Sequence, residues 1–421
     1  MSISEGASEQ AGGAKKVAYL MSRFPKTTET FILYEILEVE RLGLHVEVFP
    51  LLRERDEVVH PGAEALIARA HYRRILSPEV LAAQIYWLGR RPGAYVRAWW
   101  RALRGNLGSR NFLARALMIV PLAAAFAREM QALGVAHVHA HWATHPALAA
   151  YVINLLAGLP YSITAHSHEI YVDRTMLEEK IRAASFVVTI SEYNRRLLRE
   201  LYGDAAAGKI AVIHCGVDPE VFRPRPARQP DTRFTIVCVA SLQAHKGHTF
   251  LIEACARLRD AGVPFRCLLV GEGEDRPKIE AQIARLGLAG HFALLGRQPR
   301  DRVSAIVAAA DVMTLQSIMT PSGMSEGIPA ASAIRGIPEL VEDGVTGLLV
   351  PDQDATALAT ALLRIYQAPE LGRQLGAAGR ERVLREFAIQ RNAAALHALL
   401  ARDWAVPADS FELTGVVSVE G

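Results

Sequence analysis

Residues 320–344, TPSGMSEGIPAASAIRGIPELVEDG, decide how the chain is read. They follow a short apolar run, 308–315, that carries one acid and several strand formers. The stretch is loaded with Gly, Pro and Ser. A Gly-rich turn after a strand exposes backbone N–H groups, and those suit a phosphate. Ser322 and Gly323 lie at this turn. Glu326 beside Gly327 and Ile328 puts one carboxylate where a sugar hydroxyl could meet it.

Outward from this stretch, strand-length apolar runs alternate with helical patterns. Runs at 17–21, 45–51, 135–141, 161–165, 185–190 and 210–214 read as strands, with helical spacing such as Phe31, Ile32, Ile36 and Leu37 between them. A second series begins near Phe234, with strands at 234–240, 265–270, 292–295, 311–315 and 347–350. Its helices read at 248–261, 275–286, 302–309 and 356–367. Such alternation means α/β architecture, with parallel sheets covered on both faces. At 421 residues, 51% of them hydrophobic, the chain has room and core for two domains. The segment DPEVFRPRPARQPD, 218–231, holds four Pro and reads as a linker. The division is then a domain at 1–217, a second at 232–385, a C-terminal helix at 386–404 ending a long helical pattern from Pro369, and a loose tail at 405–421.

Net charge is only +3, but it is unevenly spread. From Arg69 to Arg128 there are eleven Arg against one acid, Glu79, interleaved with Tyr72, Tyr86, Trp87, Tyr95, Trp99 and Trp100. This basic helical insertion, 69–128, suits an anionic membrane surface; the alternative is a solvated insertion with buried aromatics. No nucleic-acid module accompanies it, so nucleic acid is not an expected partner. Cys215, Cys238, Cys255 and Cys267 lie in apolar runs without C-x-x-C spacing, and read as reduced core residues of a cytoplasmic protein. Residues 1–14 read as a disordered lead-in, not a secretion signal. The apolar runs 116–126 and 142–165 are too short or too interrupted for membrane spans and read as buried elements.

The run Glu326-Gly327-Ile328-Pro329 resembles the donor-sugar site of the family-4 retaining glycosyltransferases. In that family Glu-Gly-x-Pro opens a helix and a second Glu follows eight positions after the first. Here Ile334 stands at that position, and the text runs straight into Gly336-Ile337-Pro338-Glu339-Leu340, which in the family lies one helix and one strand later. Roughly 14 residues, a crossover's worth, look missing after Pro329. Glu339 would have to move to serve the ribose. The resemblance spans 16–400 and implies the GT-B fold, two Rossmann-like domains facing a cleft.

The remaining site residues come with this resemblance. Ala240-Ser241-Leu242-x-x-x-Lys246-Gly247 is similar to the family's Gly-Arg-Leu-x-x-x-Lys-Gly, with Ser241 at the Arg position. An ammonium at Lys246 neutralises the leaving diphosphate, or else Lys246 is a solvated loop residue. Gly271-Glu272-Gly273 resembles the turn near the nucleotide, and also suits an ordinary turn. Gly296-Arg297-Gln298 frames the base, or leaves Arg297 as a surface charge. Thr164-Ala165-His166-Ser167-His168-Glu169 resembles Thr-x-His-x-x-Asp, which sets His166 by the reacting sugar as a catalytic residue; the alternative is a capping or core His. Ser22-Arg23-Phe24-Pro25 with Thr28-Glu29-Thr30-Phe31 resembles an acceptor-side loop, so Phe24, Glu29 and Glu169 are the acceptor-side residues. His137, His139, His141 and His145 invite a metal reading, but no His-Glu-x-x-His helix or nearby Cys supports it, and no metal is expected.

The resemblance implies transfer of a hexose from a UDP- or GDP-sugar to a glycan or lipid-linked acceptor with retention, in cell-surface polysaccharide synthesis. No metal or other cofactor is needed, and the setting is the cytoplasm, peripheral at the inner face of the plasma membrane. The alternatives are a catalytically impaired relative that binds a partner or glycan lipid, and a metal-dependent hydrolase using the His cluster.

Overall fold

The structure, a computed structural model, describes residues 15–26, 29–54, 62–224, 233–318 and 336–403. The first half runs β1 (Lys16–Phe24), α1 (Thr30–Arg41), β2 (His45–Arg53), then four helices, α2 (Ala63–Arg69), α3 (Pro78–Arg90), α4 (Pro92–Asn106) and α5 (Arg110–Leu133). It continues with β3 (Val135–His141), α6 (His145–Ala157), β4 (Tyr161–Ala165), α7 (His168–Tyr171), α8 (Leu177–Ala183), β5 (Phe186–Thr189), α9 (Glu192–Tyr202) and β6 (Ile210–Val212). These strands form one parallel sheet in the order β2-β1-β3-β4-β5-β6. The second half runs β7 (Phe234–Val239), α10 (His248–Asp260), β8 (Phe265–Val270), α11 (Arg276–Arg285), β9 (Phe292–Leu294), α12 (Arg300–Ala308) and β10 (Val312–Met313). Its parallel sheet has the order β10-β7-β8-β9 among the described residues, and α13 (Ala355–Gln367), α14 (Pro369–Arg382) and α15 (Ile389–Asp403) follow.

Burial explains why these strands read as unbroken apolar runs. On β1, Val17, Tyr19 and Met21 join a core with Ile32 and Ile36 of α1, while Ala18 and Leu20 join the core of α5 and α6 on the other face. In the second sheet Ile236, Cys238, Cys267 and Leu269 face α10 and α13, and Val237 and Val270 face α12. A strand covered on both faces needs apolar residues at every position. Three Cys sit in this second core; burial pushes the Cys238 thiol up to about 12, which makes it inert. Cys215 is exposed, contrary to its reading as a core residue.

Two elements differ from the sequence reading. The expected strand at 347–350 stays out of the sheet: its local turn takes the backbone donors, with Leu349 N–H on Asp343 Oδ1 and Gly344 N–H on Gly347 O, both at 2.8 Å. The expected continuous helix from Pro369 breaks at Ala388, which adopts extended backbone and bridges Val217. There the chain crosses back, and Ala393, Leu396 and Leu400 of α15 complete the first core against α1.

The helical insertion is clamped by side chains. Trp87 is 1% exposed, and its indole N–H donates to Ala124 O at 2.8 Å. Gln84 donates to the carbonyls of Val80 and Pro121. By length and composition α5 could cross a bilayer, yet 56% of its apolar window is buried, against α3, α4 and α6.

The first core also holds a polar array. His137, His139 and His141 share one face of β3, and the register sets His139 beside Ser162 and His141 beside Thr164. Ser162 Oγ lies 2.8 Å from His137 Nε2 and 2.7 Å from His139 Nδ1, and Thr164 Oγ1 lies 2.9 Å from His139 Nε2. Hydroxyls, which both donate and accept, thereby satisfy buried imidazoles. Burial, with His141 and His137 adding to it, holds His139 well below the ordinary histidine range. His145, stacked on Phe112, and His248 are each pulled down to about 4, mainly by burial.

Two predictions come from this packing. Trp87→Ala should destabilise the protein by about 3–5 kcal/mol, measured by chemical denaturation; a change below about 1 kcal/mol would show that the insertion is not clamped this way. His139, His145 and His248 stay neutral when folded but protonate near pH 6.5 when unfolded, so the unfolded chain binds the extra protons. Stability therefore falls as pH drops from about 6.5 toward 4, by at most about 1.4 kcal/mol per pH unit for each group, with no such contribution above that window. Denaturation at about pH 7.5 and about pH 5 checks the sign, since most carboxylates remain ionised at both.

Candidate active site

The loops expected to bind a donor meet at the C-terminal edge of the second sheet. After β7 the chain passes Ser241 and makes a tight turn through Lys246 and Gly247. Gly247 has φ +62°, and a Cβ there would stand 1.8 Å from Gln316 O, so the Lys246 turn is pressed onto the segment leaving β10. After β8, Gly271 at φ +145° and Gly273 lie flat against the Ser241 loop; added Cβ atoms would meet Ala240 O at 1.9 Å and Leu242 O at 2.2 Å. Leu242 N–H donates to Glu272 O, and Gly271 N–H to Gly296 O. Gln298 donates to Leu295 O at 2.5 Å and closes the third loop. Ser241, Lys246, Gly271, Gly273 and Gln298 thus occupy three adjacent loops at strand ends, where open α/β sheets place their ligands. Ser322, Gly323, Glu326, Gly327, Ile328 and Ile334, with the proposed gap, fall outside the described residues.

In the first lobe the loop after β4 carries His166. Its ring lies 4.3 Å from that of Trp142, 5.2 Å from Phe31 and 5.9 Å from His141. Trp142 itself has φ +79°, a strained backbone for a bulky side chain, of the kind that concentrates at functional sites. Glu169, expected on the acceptor side, is 1% exposed and accepts from His166 N–H (2.9 Å) and Ala143 N–H (3.2 Å). It braces the His166 loop from within. Lys180 on α8 donates to Ala143 O and Thr144 O in the same buried spot. Burial pulls the Lys180 ammonium down to about 7, with Glu169 opposing.

The two lobes meet at the N-terminus of α9. Ser191 Oγ caps Asn194 N–H, and the Glu339 carboxylate, from the second lobe, accepts from Glu192 N–H and Tyr193 N–H at 2.6 Å each. A carboxylate at this end of a helix is stabilised by the aligned peptide dipoles. Asn194 in turn donates to His166 O at 2.7 Å. Glu339, weighed as a ribose ligand, is engaged here at the start of α9 on the opposite lobe. A second junction stacks the Arg300 guanidinium 3.8 Å over the Tyr34 ring, with Asp218 at 3.5 Å. Sequence reasoning missed the Glu339, Lys180 and Arg300 contacts; Ser191-Glu192 announces a helix start but not the partner that covers it.

Beside the start of α1, Phe24, Glu29, Arg23 and Lys26 line a small cleft. Phe24 is 5% exposed and largely core, and Lys26 Nζ pairs with Glu29 Oε1 at 2.5 Å. Among the described residues, Glu35, His139 and His141 bring ligand-type atoms within 4.8 Å of one another. Both His139 nitrogens already meet hydroxyls, and His141 Nε2 meets Glu35 Oε1 at 2.9 Å, so this cluster is a hydrogen-bonded core.

Known proteins match both halves. The family model "Glycosyltransferase Family 4" matches residues 28–221 and "Glycosyl transferases group 1" matches residues 222–382. A putative colanic acid biosynthesis glycosyltransferase, WcaL of Escherichia coli strain K12, is 29% identical over 385 residues, covering 84% of this chain and 91% of that protein. The 2-deoxystreptamine glucosyltransferase of Streptomyces kanamyceticus is 30% identical over 277 residues, 58% of this chain and 71% of that protein. Among solved structures, Anabaena Alr3699/HepE in complex with UDP and glucose superposes with a TM-score of 0.64 at 18% identity, over 92% of this chain and 100% of that one. The fold is thus GT-B, two Rossmann-like lobes. The chain belongs to the glycosyltransferases, of the family-4 type in its first lobe and group 1 in its second.

Proposed function

We propose that the protein moves a hexosyl group from a UDP- or GDP-sugar onto a hydroxyl of a growing glycan or lipid-linked acceptor, with retention, in cell-surface polysaccharide assembly. The observation that carries this reading is the convergence of Ser241, Lys246, Gly271, Gly273 and Gln298 on three adjacent loops at one sheet edge. The colanic acid and amylovoran names of its relatives support the polysaccharide setting. The UDP and glucose bound to a structural neighbour support a nucleotide-sugar donor.

In this reaction the acceptor hydroxyl attacks the anomeric carbon on the face the diphosphate leaves. The anomeric C–O bond to phosphate breaks, the new glycosidic bond forms, and a diphosphate oxygen takes the hydroxyl proton. The protein supplies position and charge, with no covalent nucleophile and no metal. Lys246 neutralises the diphosphate, Gly271 and Gly273 admit it close to the backbone, and Gln298 borders the base. His166 holds a sugar hydroxyl, and Glu326, with Ser322 and Gly323, completes the donor cradle.

Calorimetric titration with UDP- and GDP-sugars should show binding of one donor class. Lys246→Ala should weaken it ~10–100-fold without shifting the melting temperature. Binding of no nucleotide-sugar, or an unchanged affinity in Lys246→Ala, would sink the proposal.

A further inference from the structure

The outer face of the helical insertion is composed backwards for a surface that meets water. On α3, Val80, Ala83 and Trp87 turn inward, while Leu81, Ile85 and Leu88, at helical spacing, stay exposed. Ile85 is 75% exposed. On α4 the small residues Ala98 and Ala102 are buried, and the large Val96 and Trp100 face out at 60% and 61%. Leu76 and Leu107, just outside these helices, are 87% and 67% exposed, and Leu117 and Met118 extend the face along α5. Of the fifteen exposed large hydrophobic side chains among the described residues, nine lie between Leu76 and Met118. Scattered singles need no explanation, but a cluster does.

Charge selects the partner. Arg97, Arg101 and Arg104 alternate with Val96 and Trp100 on the exposed side of α4, and the Arg104 guanidinium lies 5.9 Å from the Trp100 ring. Arg74, Arg90, Arg91, Arg110 and Arg115 are exposed around the same helices, and Glu79 is the only acid in 69–128. We propose that this face docks on an anionic phospholipid bilayer, with α3 and α4 lying in the interfacial plane. Leu81, Ile85, Leu88 and Trp100 enter the acyl boundary, and the Arg side chains extend from their apolar stems to the headgroup phosphates. A second copy of the same face would bring Arg against Arg with one acid to compensate. A nucleic acid would satisfy the Arg but leave the Leu and Ile side chains in water.

The surface stands apart from the donor loops, so docking and transfer are tested separately. The purified full chain is sedimented with phosphatidylcholine–phosphatidylglycerol vesicles and with pure phosphatidylcholine vesicles. Binding should need the anionic lipid and weaken at high salt. The double variant Ile85→Ser/Trp100→Ser and the double variant Arg97→Glu/Arg101→Glu should each lose at least ~10-fold in vesicle affinity. Both should keep the wild-type melting temperature and nucleotide-sugar binding, because the altered residues are exposed. Equal binding to both vesicle types, no binding, or serine variants that bind as wild type would overturn the proposal. So would a wild-type dimer that the serine variants dissociate, since a second copy would then be the occupant.

Discussion

The carboxylate of Glu339 on the N-terminus of α9 sets how the two lobes stand. It accepts two adjacent backbone N–H groups that the helix cannot satisfy itself, at the end where the peptide dipoles favour negative charge. Its own segment is fixed in turn, since Arg382 donates to Glu339 O at 2.8 Å. One residue further along the helix, Asn194 grips the His166 carbonyl. A displacement of the second lobe is therefore felt at the first lobe's loop through three consecutive hydrogen-bonded contacts. Interactions of this kind contribute about 0.3–2 kcal/mol each, comparable to the free energies that separate open and closed states.

Behind that junction the first lobe places polar groups inside its core and links His137, His139, Ser162 and Thr164 to one another. The chain His137–Ser162–His139–Thr164 ties β3 to β4, and Glu169 and Lys180 tie the two loops that leave those strands. Buried polar networks of this sort specify one arrangement, because a shift of register would strand several groups without partners. The aromatic cluster of Phe31, Trp142 and His166, with Phe31 edge-on to the other two rings, sits on this base.

Most of the architecture was legible because doubly covered parallel strands leave a simple trace, a short apolar run closed by Gly, Ser or His. Every expected strand of the first sheet appears, as do those from 234 to 313 in the second. The failures were local. Gly347–Val350 has strand composition, but the Asp343 carboxylate captures its Leu349 N–H, and Thr346 Oγ1 captures the nearby Glu342 N–H. The helix from Pro369 looked continuous because nothing in its composition marks Ala388, whose extended backbone is imposed by pairing with Val217. The donor loops could be read from Lys246 and the glycines, whose close backbone approaches tolerate no side chain. The bracing contacts of Glu169 could not be read, because a carboxylate that binds backbone amides looks in sequence like one that binds ligand. The Glu339 contact was invisible for a related reason: its partners lie on the other lobe, about 150 residues earlier in the chain.

The return of α15 to the first lobe has a consequence for biosynthesis. Val17, Ile32 and Ile36 emerge from the ribosome before the second lobe, yet the residues that seal their apolar face, Ala393, Leu396 and Leu400, are translated after it. Vectorial synthesis, which lets many proteins finish their N-terminal domain first, here leaves that domain with an uncovered apolar flank until the second lobe has been made.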